Sequence, residues 1–393
     1  MLRLLLPIAV ALLLLACIQT PRGQSYQASS SLPGFEQASF EAYREETRQW
    51  LMDNRAFVSR DTLAEIEANT PFEMLPQGDT RRGILLVHGL SDSPAYFEDI
   101  AQSLANRGFL VRTLLLPGHG SRPADLQLAS LESWNKAVAH HTKLLSDQVD
   151  ELWLGGFSTG ANLVTTEAID NPRVEGLLLF SPGFEPRFKT TALSPYLDWL
   201  VTWANLDPET NYYRYESLTM HGAALYYQSS VQVRDALAGK GFDRPALVTI
   251  SAADSVIDAQ GVLSLFQNHF DHPGSQLVWY GELEAPMPRI TALPGRLPKQ
   301  RIASIAHMSV LFRPDNHYYG RQGQYRICDN GQSEQLEAAC PQNPQPWYGA
   351  WGTKEPGQMV ARLSWNPYYP ELETQLDSVI ATTNSQNRTA RLK

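Results

Sequence analysis

The chain has 393 residues, of which 43% are hydrophobic and 19% charged, with 26 Gly, 26 Pro and three Cys. This length and apolar content predict one large domain or two ordinary ones, and they exclude a disulfide-built mini-protein, a collagen-like fibre and a wholly disordered chain. The 32 Lys and Arg against 41 Asp and Glu give a net charge of -9, which disfavours nucleic acid as a partner and also disfavours acidic substrates.

The N-terminus has the features of an export signal. Arg3 precedes an apolar run over 4–16, which is typical of a signal peptide and too short to span a bilayer as a helix. The run ends at Ala16-Cys17, which resembles the lipobox of bacterial lipoproteins, in which the cysteine is lipidated after cleavage. We therefore expect a signal peptide at 1–16, and a lipidated Cys17 with a polar tether over 17–38. The alternative is an ordinary secretory signal with an incidental cysteine.

Apolar periodicity predicts the fold class of the rest. Ser39 is a plausible N-cap for a helix that reaches Ala56. After it, short apolar runs alternate with stretches of helical periodicity, and the pattern predicts a mostly parallel sheet covered by helices on both faces, an α/β fold. The predicted strands cover 84–87, 109–111, 152–154, 177–180, 246–250 and 277–280, and the first predicted helices between them cover 96–107 and 131–145.

The first of these strands ends in His88-Gly89-Leu90. A backbone N–H in such a loop can complete an oxyanion hole with the residue after a nucleophile, and we expect Leu90 and Thr159 to supply the two N–H groups. His88, and likewise His119, is interpreted as bracing its loop because both precede the candidate nucleophile in sequence.

Gly156-Phe157-Ser158-Thr159-Gly160 follows the predicted strand 152–154 and precedes a helical stretch. This G-x-S-x-G pattern in a strand–turn–helix setting predicts a nucleophile elbow, in which the glycines permit a tight turn and Ser158 projects from its tip. The alternative is a structural turn without chemistry.

A long interval separates the predicted strands 177–180 and 246–250, well beyond the usual loop length of α/β units. It is rich in Trp and Tyr, so we predict an inserted cap at about 183–243 that contributes to a substrate pocket. The alternative is an additional helical hairpin packed on the sheet without ligand contact.

The acid and base of a hydrolytic triad are expected after the serine, in the order Ser, Asp, His. Asp254 ends the run that begins at Ala246, with Asp258 as the alternative acid. His307 lies in a loop after the last predicted strand, with His317 as the alternative base. His269 and His272 precede that strand, at the wrong end of the sheet, and their spacing alone is poor evidence for a metal site.

The segment after about Pro314 is rich in Tyr, Gln, Asn and Pro, and it is interpreted as an irregular extension, assigned to 321–393. Cys328 and Cys340 lie within it. In an oxidising compartment such a pair usually forms a disulfide. The alternatives are a zinc site, for which a second pair of ligands is missing nearby, and two free thiols.

Together, the loops at His88 and His119, the elbow at Ser158 and the loops at Asp254 and His307 resemble the α/β-hydrolase superfamily. The greatest resemblance is to the branch of bacterial esterases, monoacylglycerol lipases and serine aminopeptidases, over about 70–320 of a domain assigned to 39–320. The resemblance implies a Ser158–Asp254–His307 triad, no metal and no cofactor.

The sequence thus predicts a serine hydrolase of small apolar or acyl esters, a carboxylesterase or lipase-like enzyme, lipid-anchored in the bacterial cell envelope. Position 18 is Ile, and in the lipoproteins that the N-terminus resembles an Asp there favours the inner membrane, so the expected site is the periplasmic face of the outer membrane. Two other functions stay open: a peptidase or amidase on the same fold, and a catalytically silent binding module.

Overall fold

The computed structural model describes residues 22–78 and 80–391, with 383–391 as helical backbone alone. The predicted signal peptide and Cys17 lie outside the described residues. The described α-helices are α1 (Phe40–Asn54), α2 (Thr62–Asn69), α3 (Glu98–Ala105), α4 (Leu131–Ser146), α5 (Thr159–Asp170), α6 (Ser194–Leu197), α7 (Met220–Lys240), α8 (Ala259–His269), α9 (Glu334–Ala339) and α10 (Tyr369–Arg391).

The strands of the described chain form one large sheet and two small ones. They are β1 (Glu73–Met74), β2 (Arg82–Val87), β3 (Phe109–Leu114), β4 (Glu151–Phe157), β5 (Val174–Phe180), β6 (Trp203–Asn205), β7 (Leu218–Thr219), β8 (Ala246–Ser251), β9 (Gln276–Tyr280), β10 (Ile290–Leu293), β11 (Trp347–Gly349) and β12 (Val360–Arg362). The large sheet has eight strands in the order β1-β3-β2-β4-β5-β8-β9-β10. Only β1 pairs antiparallel in this sheet, so the predicted fold class is confirmed.

Strand β10 was not predicted from the sequence. It pairs with β9 in the Pro-rich stretch before His307. Its residues are half-buried or exposed, so this edge strand lacks the continuous apolar run that predicted the central strands.

Alternating side chains of the strands supply two cores, one on each face of the sheet. In β2, Leu85 and Val87 belong to one core, whereas Ile84 and Leu86 belong to the other. The first core is covered mainly by α4, α5, α7 and α8. The second is covered by α3 and by the C-terminal helix α10. Helices therefore cover both faces, which leaves the carboxyl ends of the strands for a site.

The prediction of an irregular C-terminal extension is wrong for its last part. Helix α10 buries Leu372, Leu376 and Val379 against the sheet, so this segment is part of the second core. The apolar residues of this helix are few and lie among Glu, Gln, Asp and Thr. The polar composition of the whole segment therefore gave no prediction of a buried helix. Before α10, a disulfide joins Cys328 to Cys340 with a Cα–Cα distance of 5.7 Å.

The described part of the predicted tether contacts the domain. The Ser29 backbone N–H and hydroxyl donate to the Asp125 carboxylate, at 2.6 and 2.9 Å. The Tyr26 ring packs edge-on against Trp203 of the insertion, with ring centroids 5.5 Å apart. Among the described helices, none has the length and apolar content that a bilayer crossing requires.

Candidate active site

Ser158 occupies a strained turn between β4 and α5. Its backbone has φ 52° and ψ -116°, outside the conformations that L-residues ordinarily adopt, and such strain concentrates at functional sites. A Cβ on Gly160 would lie 2.0 Å from the Val87 carbonyl oxygen, and one on Gly156 would lie 2.5 Å from the backbone of the helix. Close backbone approach therefore explains both glycines of the motif.

His307 and Asp254 form a hydrogen-bonded pair at the carboxyl ends of the strands. The distance from His307 Nδ1 to Asp254 Oδ2 is 2.6 Å. Because an ionised carboxylate only accepts, we assign the proton to Nδ1, which leaves Nε2 as a base. The other oxygen of Asp254 accepts from the N–H groups of Val256 and Ile257, at 2.8 and 2.9 Å, so the buried carboxylate is fixed in one orientation.

Two serines that were not predicted from the sequence hold the loop of His307. Ser181 Oγ donates to the His307 carbonyl at 2.8 Å, and Ser251 Oγ donates to the Ile305 carbonyl at 2.7 Å. Ser181 directly follows β5 and Ser251 ends β8. In both cases the sequence shows a hydroxyl side chain at the carboxyl end of an apolar strand, and this pattern could have indicated a role near the site.

The structure places the alternative residues elsewhere. Asp258 caps α8 by accepting from the N–H groups of Gln260 and Gly261. His317 has a side chain that is 60% exposed, and its Nε2 lies 3.1 Å from the Tyr213 hydroxyl. The described residues contain no group of three or more His, Cys, Asp or Glu side chains arranged to hold a metal.

Leu90 and Thr159 border the same cavity as Ser158. Within the described residues neither backbone N–H has a hydrogen-bond acceptor. Thr159 begins α5, whose N-terminus adds a favourable dipole for negative charge. Two such donors beside a nucleophile are what an oxyanion hole requires.

His88 and His119 hold the backbone of this loop. His88 Nε2 accepts from the Leu116 N–H at 3.1 Å, so its Nδ1 carries the proton and donates to the Gly89 carbonyl at 2.8 Å. His119 Nε2 accepts from the Ser91 N–H at 3.0 Å. Burial lowers the pKa of His88 to about 4 and that of His119 well below its ordinary value, so both are neutral acceptors.

A cavity of about 270 Å³ is bordered by four of the five predicted site residues, and the fifth, Asp254, is hydrogen-bonded to His307. Ser158 and His307 both border it, although no hydrogen bond joins their side chains within the described residues. Most of the other lining is apolar or aromatic. Its apolar and aromatic members are Tyr96, Phe157, Tyr215, Leu218, Tyr226, Val256 and Met308, and its polar members are Ser91, Asp92, Asn205, Arg214 and Glu216.

The predicted cap contributes directly to this cavity. Leu218 and Tyr226 belong to the insertion between β5 and β8, as do Arg214 and Tyr215. The alternative of a helical hairpin without contact to the site is therefore excluded by the lining. Asp92 also borders the cavity, and burial raises the pKa of its carboxyl group to about 7.

A family model described as serine aminopeptidase, S33, matches residues 78–212. The match includes Leu90, Ser158 and Thr159, whereas Asp254 and His307 lie beyond it. A thermostable monoacylglycerol lipase from Bacillus sp. (strain H-257) is 27% identical over 96 residues. That alignment covers 24% of this chain and 38% of the relative.

Solved structures include similar chains. A structure of the metagenome-derived lipolytic enzymes LipS and LipT has a TM-score of 0.48 and 19% identity, covering 62% of this chain and 91% of that one. A soluble variant of monoglyceride lipase from Saccharomyces cerevisiae has a TM-score of 0.47 and 13% identity, covering 56% and 85%. The sheet order and the elbow are those of an α/β-hydrolase fold, and over the aligned residues the chain is similar to a monoacylglycerol lipase.

Proposed function

We propose that this protein is a serine hydrolase that cleaves carboxylic esters through an acyl-enzyme. The observation that carries the proposal is the convergence on one cavity of Ser158, on a strained elbow, with the His307–Asp254 pair. Two backbone N–H groups without acceptors border the same cavity. This set of groups matches the roles of nucleophile, base, orienting acid and oxyanion hole.

In the first half of the reaction, His307 Nε2 takes the proton of the Ser158 hydroxyl as Oγ attacks the acyl carbon. The negative charge that develops on the carbonyl oxygen is stabilised by the Leu90 and Thr159 N–H groups. The C–O bond to the alcohol then breaks, and the alcohol leaves with the proton from His307.

In the second half, water repeats these steps on the acyl-enzyme. His307 removes a proton from the water, the hydroxide adds to the acyl carbon, and Ser158 regains its proton as the carboxylic acid leaves. Asp254 accepts from Nδ1 throughout and stabilises the imidazolium that forms twice in each turnover.

The lining of the cavity favours an ester with an apolar acyl group as the substrate, rather than a peptide with a free amino group. This lining is largely apolar, which favours an acyl chain. An aminopeptidase needs a charged carboxylate for the substrate ammonium. Two carboxylates border this cavity, Asp92 and Glu216. Asp92 has a pKa raised to about 7 by burial and lies in the field of Arg214. Both oxygens of Glu216 already accept hydrogen bonds, from Thr210 and Tyr325, so neither acid is free to bind a substrate ammonium.

The proposal is tested with purified protein, a fluorophosphonate probe, 4-nitrophenyl butyrate and the matched 4-nitroanilide. Ser158→Ala should abolish labelling and lower turnover of the ester by about a thousandfold or more. Ser91→Ala removes another serine that borders the cavity and should still be labelled. Labelling of Ser158→Ala would refute the nucleophile assignment, and faster cleavage of the anilide than of the ester would favour an amidase.

We further propose that the enzyme is exported and anchored by a lipid on Cys17, on the periplasmic face of the outer membrane. The apolar run over 4–16 and the Ala16-Cys17 junction support this location. The disulfide between Cys328 and Cys340 is also consistent with an oxidising compartment.

A further inference from the structure

A second and larger cavity borders the catalytic one. It has a volume of about 720 Å³ and lies between the cap insertion and the disulfide-bearing C-terminal segment. Asn205, Arg214 and Glu216 line both cavities. A substrate bound at Ser158 that extends past these three residues would therefore enter the second cavity.

Arg214 stands at the boundary of the two cavities and forms no salt bridge within the described residues, although the charges of Asp92 and Glu216 act on it. Its Nε donates to the Tyr215 carbonyl at 3.1 Å. The described residues offer its guanidinium no other hydrogen-bond acceptor and no carboxylate within salt-bridge distance. Its terminal nitrogens are therefore available to a ligand.

Arg326 and Arg362 are the other cations that line the larger cavity. Arg326 donates to the Cys340 and Asn343 carbonyls, so we consider Arg362 with Arg214. Arg362 Nε donates to Asn330 Oδ1 at 3.0 Å and its Nη2 to the Asp329 carbonyl at 2.7 Å, which fixes the plane of the guanidinium. Burial, with a further contribution from the Arg214 guanidinium, lowers the pKa of Arg362 to about 10. Carboxylates also act on both guanidinium groups, but an anion that contacts Arg214 and Arg362 together would reduce their mutual repulsion.

Carboxylates also line this cavity, of which one pairs with Arg362 and the others accept hydrogen bonds from neutral donors. These residues are Asp207, Glu216, Asp329 and Glu337. Glu216 accepts from the Thr210 and Tyr325 hydroxyls, Glu337 from two backbone N–H groups, and Asp207 from Asn205. Asp329 is 69% exposed and its carboxylate lies 3.9 Å from Arg362. Hydrogen bonds thus occupy both carboxylate oxygens of Glu216 and one oxygen each of Asp207 and Glu337. The terminal nitrogens of Arg214 have no hydrogen-bond acceptor among the described residues.

We infer that the larger cavity is a subsite for an oxyanion, a carboxylate or a phosphate, carried by the ester that reacts at Ser158. The guanidinium groups of Arg214 and Arg362 would bind this group, because their planar arrays of donors match both kinds of oxyanion. The inference rests on the proposed ester hydrolysis and specifies its substrate class. The net charge of -9 disfavours long-range attraction of anions, but these two arginines act at contact distance, where local geometry dominates.

Two matched pairs of esters test the inference and distinguish the side of the ester that carries the charge. In the first pair, 1-butyrylglycerol is compared with 1-butyrylglycerol 3-phosphate, which has its charge on the alcohol. In the second pair, 4-nitrophenyl pentanoate is compared with mono-4-nitrophenyl glutarate, which has its charge on the acyl group. We expect the anionic member of at least one pair to have the lower KM.

Arg362→Gln should lower the ratio of kcat/KM for the anionic ester to kcat/KM for the neutral ester by about tenfold or more, mainly through KM. Arg362→Lys should restore part of the ratio. Arg214→Gln provides a second variant if loss of the Asn330 contact impairs folding. Arg81→Gln removes an equal charge from an exposed ion pair with Asp150, before the amino end of β2, and should leave the ratio unchanged.

Binding to Ser158→Ala separates this inference from the proposed function, because binding needs no turnover. Calorimetry with glycerol 3-phosphate and with glutarate should show saturable binding of at least one anion, and the added Arg362→Gln change should abolish it. Absence of binding, or a wild-type ratio that Arg214→Gln and Arg362→Gln both leave unchanged, overturns the subsite. Anion binding by a protein that hydrolyses no ester would refute the proposed function and leave the anion site supported.

Discussion

Each side chain of the candidate triad is held by a different local device. The tight turn between two close-packed glycines fixes the position of Ser158. Two backbone N–H groups that donate to its carboxylate fix Asp254. His307 is held by Asp254 on its ring and by Ser181 on its carbonyl. These contacts are formed before substrate binds, which lowers the reorganisation that the reaction requires.

The base is tested by comparing two histidines. His307→Ala should lower ester turnover by about a thousandfold or more, because the Ser158 hydroxyl loses its proton acceptor. His317→Ala should remain active, since His317 is largely exposed and contacts Tyr213 rather than the cavity. Steady-state kinetics on 4-nitrophenyl butyrate measures both. An inactive His317→Ala enzyme beside an active His307→Ala enzyme would move the base to His317.

The buried carboxyl group of Asp92 should make the folded state less stable as the pH rises. Burial raises the pKa of its carboxyl group from 3.8 to about 7, and the nearby Arg214 and His307 partly oppose the shift. Between these two pH values the native state keeps a proton that the unfolded state releases, so stability falls as pH rises from about 4 to about 7.

The variant Asp92→Asn has no ionisable group at this position, so it does not incur the cost of ionising a buried carboxyl group. It should be more stable than wild type at pH 8, by an amount on the order of a few kcal/mol, and close to wild type at pH 4. Urea unfolding at the two pH values measures the difference. Equal differences at both would show that ionisation of Asp92 does not control it.

At the scale of elements, the C-terminal helix α10 completes the second core. It packs on the face of the sheet that α3 only partly covers, and Arg107 next to α3 forms an ion pair with Asp377 at 2.7 Å. That pair is exposed on the Asp side and contributes little, whereas the buried leucines carry the packing energy.

A substitution at Leu376 tests how much this helix contributes to the stability of the fold. Leu376→Ala leaves a cavity against the sheet and should lower the free energy of unfolding by about 2–5 kcal/mol. Ser378→Ala, on the exposed face of the same helix, should change it by less than about 0.5 kcal/mol. Urea unfolding followed by tryptophan fluorescence gives both values. A small effect of Leu376→Ala would mean that α10 is dispensable for the core.

At the scale of the whole molecule, the two ends of the chain contribute beyond the central sheet. The segment before α1 is tied to Asp125, near the insertion. The segment after β10 supplies one wall of the larger cavity and then α10. The central sheet thus positions the candidate triad, while the insertion and the segment after β10 line the two cavities beside it.

The proposed membrane anchor is tested at Cys17. Cys17→Ser should abolish incorporation of labelled palmitate and shift the protein from the membrane to the soluble fraction, because acyl chains supply the apolar area for binding. Ester hydrolysis should persist in the released protein, since every residue assigned to the reaction lies at or after position 90. Unchanged membrane partition of the Ser variant would place the anchor elsewhere in the chain.

The sequence alone determined the elements whose signals are local. Continuous apolar runs predicted the central strands because a buried parallel strand needs apolar side chains on both faces. The G-x-S-x-G motif predicted the turn at Ser158 because the glycines and the flanking elements are contiguous. The short edge strand β10 and the helix α10 have no comparable local signal, since their apolar positions are few and are interspersed with polar residues.

The tertiary structure decided what depends on contacts between distant segments. Asp254 and His307 are 53 residues apart, and sequence order alone left Asp258 and His317 as rivals. The roles of Ser181 and Ser251, and the second cavity beside Arg214, had no motif. The physical reason is that hydrogen-bond partners and cavity walls are set by the packing of separate strands and loops, and packing relates residues whose separation along the chain is arbitrary.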